Sequence, residues 1–192
     1  MALGVVVVAG AGVVLFQPDH REPALSVPDL VCQEAVPGTH VKALLPGTGE
    51  PFREGHAVGF VVGGPEELGR CDLSGGGTDL EVTYKMVQEA DFSWESVQRE
   101  TAKPGRTLIW LGEARGYTGS DRAALFVDCP SGEGRKDVLE VSVGVEPAPE
   151  AEAGDRTAEL SALAADVARV IGHELKHCEG ASRLPYGPPK PG

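Results

Sequence analysis

The stretch Cys71-Asp72-Leu73-Ser74-Gly75-Gly76-Gly77-Thr78-Asp79-Leu80-Glu81-Val82-Thr83-Tyr84 decides the fold. From Leu80 onward polar and apolar residues alternate. Leu80, Val82, Tyr84 and Met86 therefore share one face, as a half-buried strand of an antiparallel sheet requires. The glycine run before it has the composition of a tight hairpin turn, and reads as that in preference to a phosphate cradle. The pattern recurs: Cys129-Pro130-Ser131-Gly132-Glu133-Gly134 leads into Leu139-Glu140-Val141-Ser142-Val143, with Leu139, Val141, Val143 and Val145 on one side. Each unit reads as a strand ending at a cysteine, a glycine-rich turn and a returning strand.

Working outward, Ala57 to Val62, Thr107 to Leu111 and Ala123 to Val127 are further strand candidates. Pro37-Gly38 and Pro46-Gly47 bracket a helix of two turns at most, and the polar stretch Ala90 to Gly105 holds a short helix near Trp94. Glu146 to Asp155 reads as a solvated linker. Thr157 to Cys178 has helical periodicity, with Leu160, Ala164, Val167, Ile171, Leu175 and Cys178 on one apolar stripe. The expected fold is α+β over residues 30–178, an antiparallel sheet of two cysteine-containing hairpins covered by a long C-terminal helix. Four cysteines permit three pairings. The economical one is Cys32–Cys71 with Cys129–Cys178, because each bridge then pins a helix to its own hairpin.

Residues 1–17 are apolar as far as Phe16 and carry no charged side chain. They read first as a membrane anchor, with a truncated signal peptide or a buried strand as alternatives, since the run is slightly short for a span and lacks a basic leader. Residues 18–29, with Pro18, Pro23 and Pro28, read as an extended spacer, and residues 179–192 as a disordered Pro/Gly-rich tail. An apolar N-terminus followed by four cysteines places the chain outside the cytoplasm, on the extracytoplasmic face of the cell membrane or secreted. The pattern Val31-Cys32-Gln33 with Arg70-Cys71-Asp72-Leu73 resembles actinobacterial membrane-anchored or lipoprotein-like extracytoplasmic domains of unknown function, over roughly Leu30 to Cys178. The chain departs from that pattern by lacking a lipidation cysteine directly after the apolar run. The resemblance implies an envelope-facing α+β module and no activity.

The net charge of −12 excludes nucleic acid as a partner, because phosphate backbones are held by clustered Lys and Arg. One motif tempts toward chemistry. In His173-Glu174-Leu175-Lys176-His177 the spacing matches zinc hydrolases, whose two imidazoles hold the metal while the glutamate deprotonates its water. The extension His177-x-x-Gly180-x-x-Arg183 puts a cation where a third ligand belongs, no methionine follows, and both histidines fall off the apolar stripe. The expected reading is no catalytic residue, no metal and no cofactor, with a non-catalytic binding or structural module of the envelope as the function. Its partner is an envelope protein, a polymer or a small ligand, met through an exposed apolar patch or a groove on the sheet. The alternative is a zinc-dependent metallopeptidase with His173 and His177 as ligands and Glu174 as base. His40 and His56 stand alone, Trp94 and Trp110 are candidate partner-surface residues, and Asp79, Glu81, Asp137 and Glu140 read as outward charges.

Overall fold

A computed structural model describes residues 23–62, 64, 66–130, 136–147 and 153–192. The proposed anchor at 1–17 and most of the linker after Glu146 lie outside the described residues. Alternation at Leu80–Met86 produces the long strand β5 (Thr78–Gln88), paired with β4 (Leu68–Gly75). The turn between them needs positive φ at both central residues, which Gly76 (+59°) and Gly77 (+79°) supply. The second hairpin joins β8 (Arg122–Pro130) to β9 (Lys136–Glu146). The two hairpins meet through their returning strands, Leu80 opposite Val145, Val82 opposite Val143 and Tyr84 opposite Val141. Cys129 lies one residue from the end of its strand as expected, whereas β4 runs four residues past Cys71.

Three more strands come from β3 (Arg53–Val58), β6 (Thr107–Leu111) and β7 (Ala114–Thr118). With the two-residue β10 (Lys190–Pro191) they complete one antiparallel sheet, ordered β10-β6-β7-β8-β9-β5-β4-β3. A small separate pair, β1 (Leu30–Val31) with β2 (Val36–Pro37), frames the Cys32 turn and precedes α1 (Thr39–Leu44). The long helix α3 (Ala153–Arg169) covers one sheet face. Leu160, Leu163, Val167 and Ile171 bury against Leu125, Leu139, Val141 and Val143 in one continuous core. The opposite face carries α2 (Trp94–Thr101), whose Val97 packs with Phe92 and Trp94 on Ala124, Phe126 and Val138. Both expected disulfides are present, Cys32–Cys71 and Cys129–Cys178. The fold is the α+β arrangement read from the hairpins and the helix.

Four boundaries need correction. The strand expected at Ala57–Val62 ends at Val58, because Gly59 turns the chain with φ +79° and accepts a hydrogen bond from the Tyr84 hydroxyl; Phe60 then buries edge-on against Tyr84 at 5.4 Å. The spacer is packed from Pro23 on: Leu25 N–H donates to Gly47 O at 2.9 Å, and Leu25 and Val27 reach the core. The tail expected at 179–192 does not stay free. Lys190 and Pro191 lie opposite Trp110 and Ile109, and Gly192 N–H donates to Leu108 O at 2.9 Å. Finally the long helix does not stay α-helical to Cys178. After Arg169 it widens into a π-turn over Val170–Leu175. β7 was not anticipated, because Arg115 and Gly116 interrupt its pattern. A side chain at Gly116 would collide with the Ala124 carbonyl of the neighbouring strand.

Candidate functional site

The His-Glu-x-x-His segment falls on the widened helix end. Lys176 N–H donates to Ile171 O, five residues back, at 2.8 Å, and Cys178 N–H to Gly172 O at 2.6 Å. His177 sits beyond the helix with φ 54°, in the left-handed conformation of a C-terminal cap, and its Nδ1 lies 3.1 Å from His173 O. His173, Glu174 and His177 are exposed. Lys176, between the two histidines, crosses to the β3–β4 connection and donates to Glu66 O, with its ammonium 5.6 Å from the Tyr84 ring centre. Among the described residues, no three His, Cys, Asp or Glu side chains are gathered to hold a metal ion. All four cysteines are consumed in disulfides, so none offers a thiolate.

The chemistry-bearing surface lies on the other face of the sheet. Alternation that sends Leu73, Leu80, Val82, Val143 and Val145 to the core sends their neighbours outward, and cross-strand register aligns these in rows. One row runs Asp72, Glu81, Gly144, Arg122; the next runs Ser74, Asp79, Glu146. Helix α2 covers the β7–β8 side of this face and stops short of them. Between lies an open cleft of about 510 Å³ lined by these residues together with Gly55, Arg70 and Asp121. That volume lies within the roughly 300–1,000 Å³ range of small-molecule sites. Its lining is mixed, with charged side chains set beside the apolar Leu73, Leu80 and Val145.

Some charges in the cleft are satisfied internally. Arg70 bonds Asp72 through Nε at 2.8 Å and Glu81 through Nη2 at 2.7 Å. Arg106 grips Asp121 with two bonds of 2.5 and 3.0 Å. Partial burial would push the Asp121 carboxyl up, but the Arg106 guanidinium outweighs it and holds the group below its ordinary range. Three charges have no such partner among the described residues. The Arg122 guanidinium extends over Gly144 and makes no ion pair, its charge adding only a minor contribution to that of Arg106 at Asp121. Asp79 and Glu146 face each other across the β5–β9 ladder with no cation between them. Like charges directly opposite each other destabilise a sheet.

The glycines of the floor differ from others in the sheet. At Gly69 a side chain would strike the Tyr84 ring, and at Gly116 a backbone carbonyl, so packing demands both. At Gly144 an added Cβ would meet only the Arg122 guanidinium, at 3.5 Å, and at Gly55 only Asp72 O, at 3.7 Å. Gly55 lies inside the β3 bulge between Glu54 and Ala57, whereas Gly144 sits in a regular stretch of β9 where fit does not require it, one of the settings in which another molecule approaches a strand closely.

The candidates from the sequence are thus dispersed. Asp79 and Glu81 enter the cleft; Glu140 lies further along β9 and pairs with Lys85 at 3.0 Å. Arg122, Gly144 and Glu146 were not singled out, although Gly144 takes an outward position of that alternation where Glu140 and Ser142 carry side chains. Trp94, packed on Phe126 of β8, and Trp110 on β6 both meet the Arg115 guanidinium, 4.9 and 5.3 Å from their ring centres. His40 is held between carboxylates of α3, 2.7 Å from Glu159 and 3.6 Å from Asp166. Comparison with protein-family models, curated proteins and solved structures gives no match.

Proposed function

We propose that this protein is a membrane-anchored, extracytoplasmic binding module of the cell envelope, non-catalytic, which takes a small polar ligand into the cleft between Arg122 and Asp79. The observation that carries this is the uncovered half of an otherwise packed sheet, floored by a glycine that fit does not require. The two disulfides support an oxidising compartment. The apolar residues 1–17 support attachment to a membrane. No helix among the described residues is long and apolar enough to cross one.

Gly144→Val tests the reading. A β-branched side chain suits a strand and fills the floor, so the variant is expected to be as stable as wild type or up to about 1 kcal/mol more stable. Low-mass solutes extracted from the envelope are expected to raise the Tm of the wild-type protein and not that of Gly144→Val. An equal rise in both would move the binding site elsewhere, and no rise in either would remove the small-ligand function. Protease accessibility on intact cells checks the location, with cleavage from outside as the expected result.

A further inference from the structure

We propose that the ligand is a short zwitterionic peptide, its carboxylate held by Arg122 and its amino groups held between Asp79 and Glu146. This rests on reading the cleft as the binding site and goes on to name the chemistry it selects. Three charges that form no ion pair among the described residues define that chemistry. Arg122 presents a planar fork of donors over Gly144, matched to a carboxylate in two-point geometry. Asp79 and Glu146, directly opposite each other and lacking a cation, accept an ammonium that relieves their mutual repulsion. Arg70 and Asp121 are already paired and frame the site without competing for the ligand.

The alternatives each leave something uncompensated. A neutral sugar would leave Asp79 facing Glu146. An inorganic anion would meet Arg122 and likewise leave Asp79 facing Glu146. A diamine would satisfy the acids and leave the Arg122 guanidinium with only the neighbouring Asp121 charge, which Arg106 already holds. Separation and size agree with a peptide. Strand spacing and rise put the Cα atoms of Glu146 and Asp79 roughly 8–12 Å from that of Arg122. The 510 Å³ cleft has room for several residues.

Isothermal titration of the full-length protein decides the matter, with the tripeptide Lys-Gly-Gly as probe and its C-terminal amide and 1,5-diaminopentane as comparators. The free-acid tripeptide is expected to bind about tenfold or more tighter than either comparator, as one charge-assisted pair predicts. Arg122→Ala should abolish the preference for acid over amide. Arg122→Lys should restore it only in part, since the charge returns without the fork. The double variant Asp79→Asn/Glu146→Gln should weaken acid and amide alike by about tenfold or more. Equal binding of acid and amide by the wild type, or an undiminished preference in Arg122→Ala, overturns the assignment. If the tripeptide fails to bind while envelope solutes still stabilise wild type and not Gly144→Val, the peptide class falls and the cleft stands. If both fail, both fall.

Discussion

At the scale of single residues, the fold spends conformational strain where covalent and ionic ties hold it. Cys32, Gln33 and Glu34 take φ of 55°, 57° and 61°, three successive non-glycine residues in the left-handed region, which L-residues enter at a cost of roughly 1–2 kcal/mol each. The Glu54 carboxylate accepts from Cys32 N–H at 2.8 Å and Gln33 N–H at 2.9 Å, and the bridge to Cys71 closes the turn. None of this is visible in Val31-Cys32-Gln33 as a string, because the partner is twenty-two residues away. Tyr84 gives a pH test. Burial, and secondarily the charge of Glu66, push its hydroxyl up to about 12, while it donates to Gly59 O. An unfolded tyrosine ionises near 10. Stability from this group is therefore complete below pH 10 and falls as pH rises toward 12, by roughly 2–3 kcal/mol. Urea unfolding across that range should show the decline in wild type and a much smaller one in Tyr84→Phe.

At the scale of elements, periodicity located the helix but not how it ends. The stripe Leu160, Ala164, Val167, Ile171, Leu175 and Cys178 is buried as its spacing implies. Its last turns widen because Gly172 packs so closely on Ala181 that a side chain there would collide, and because Cys178 must reach Cys129. That tertiary demand moves His177 out of the helix into a left-handed cap. His177→Gly is expected to raise stability by about 1 kcal/mol, seen as a higher urea midpoint, since glycine enters this conformation without the Cβ clash. A zinc-holding His177 would give the opposite result, with loss of bound metal and of stability. The sheet edges show the same division. β3 is bulged between Glu54 and Ala57 and carries Arg53, Glu54 and His56, which discourages pairing with another chain. The far edge, β6, is covered by Lys190 and Pro191, from a tail whose prolines alone argued against any strand.

At the scale of the whole molecule, two disulfides and one helix hold a sheet whose other face is half open. The bridges close chain segments of 39 and 49 residues, for which the chain-entropy account gives roughly 4 kcal/mol each. Replacing Cys129 and Cys178 together by alanine should cost about 2–5 kcal/mol in urea unfolding, with no free thiol detectable in the native wild-type protein. Local pattern alone determined the strands β5 and β9, the glycine turn between β4 and β5 and the buried stripe of the long helix, and it favoured one disulfide pairing among three. Each follows from alternation, helical period or chain economy, which short-range sterics and burial impose. Only the tertiary structure decided which outward residues become neighbours. Glu81, Gly144 and Arg122 share a row because β5, β9 and β8 lie side by side in one register, and Asp79 faces Glu146 for the same reason. Those pairings join positions dozens of residues apart. No periodicity within a single strand records them, so the cleft was not legible from the sequence, while the sheet that carries it was.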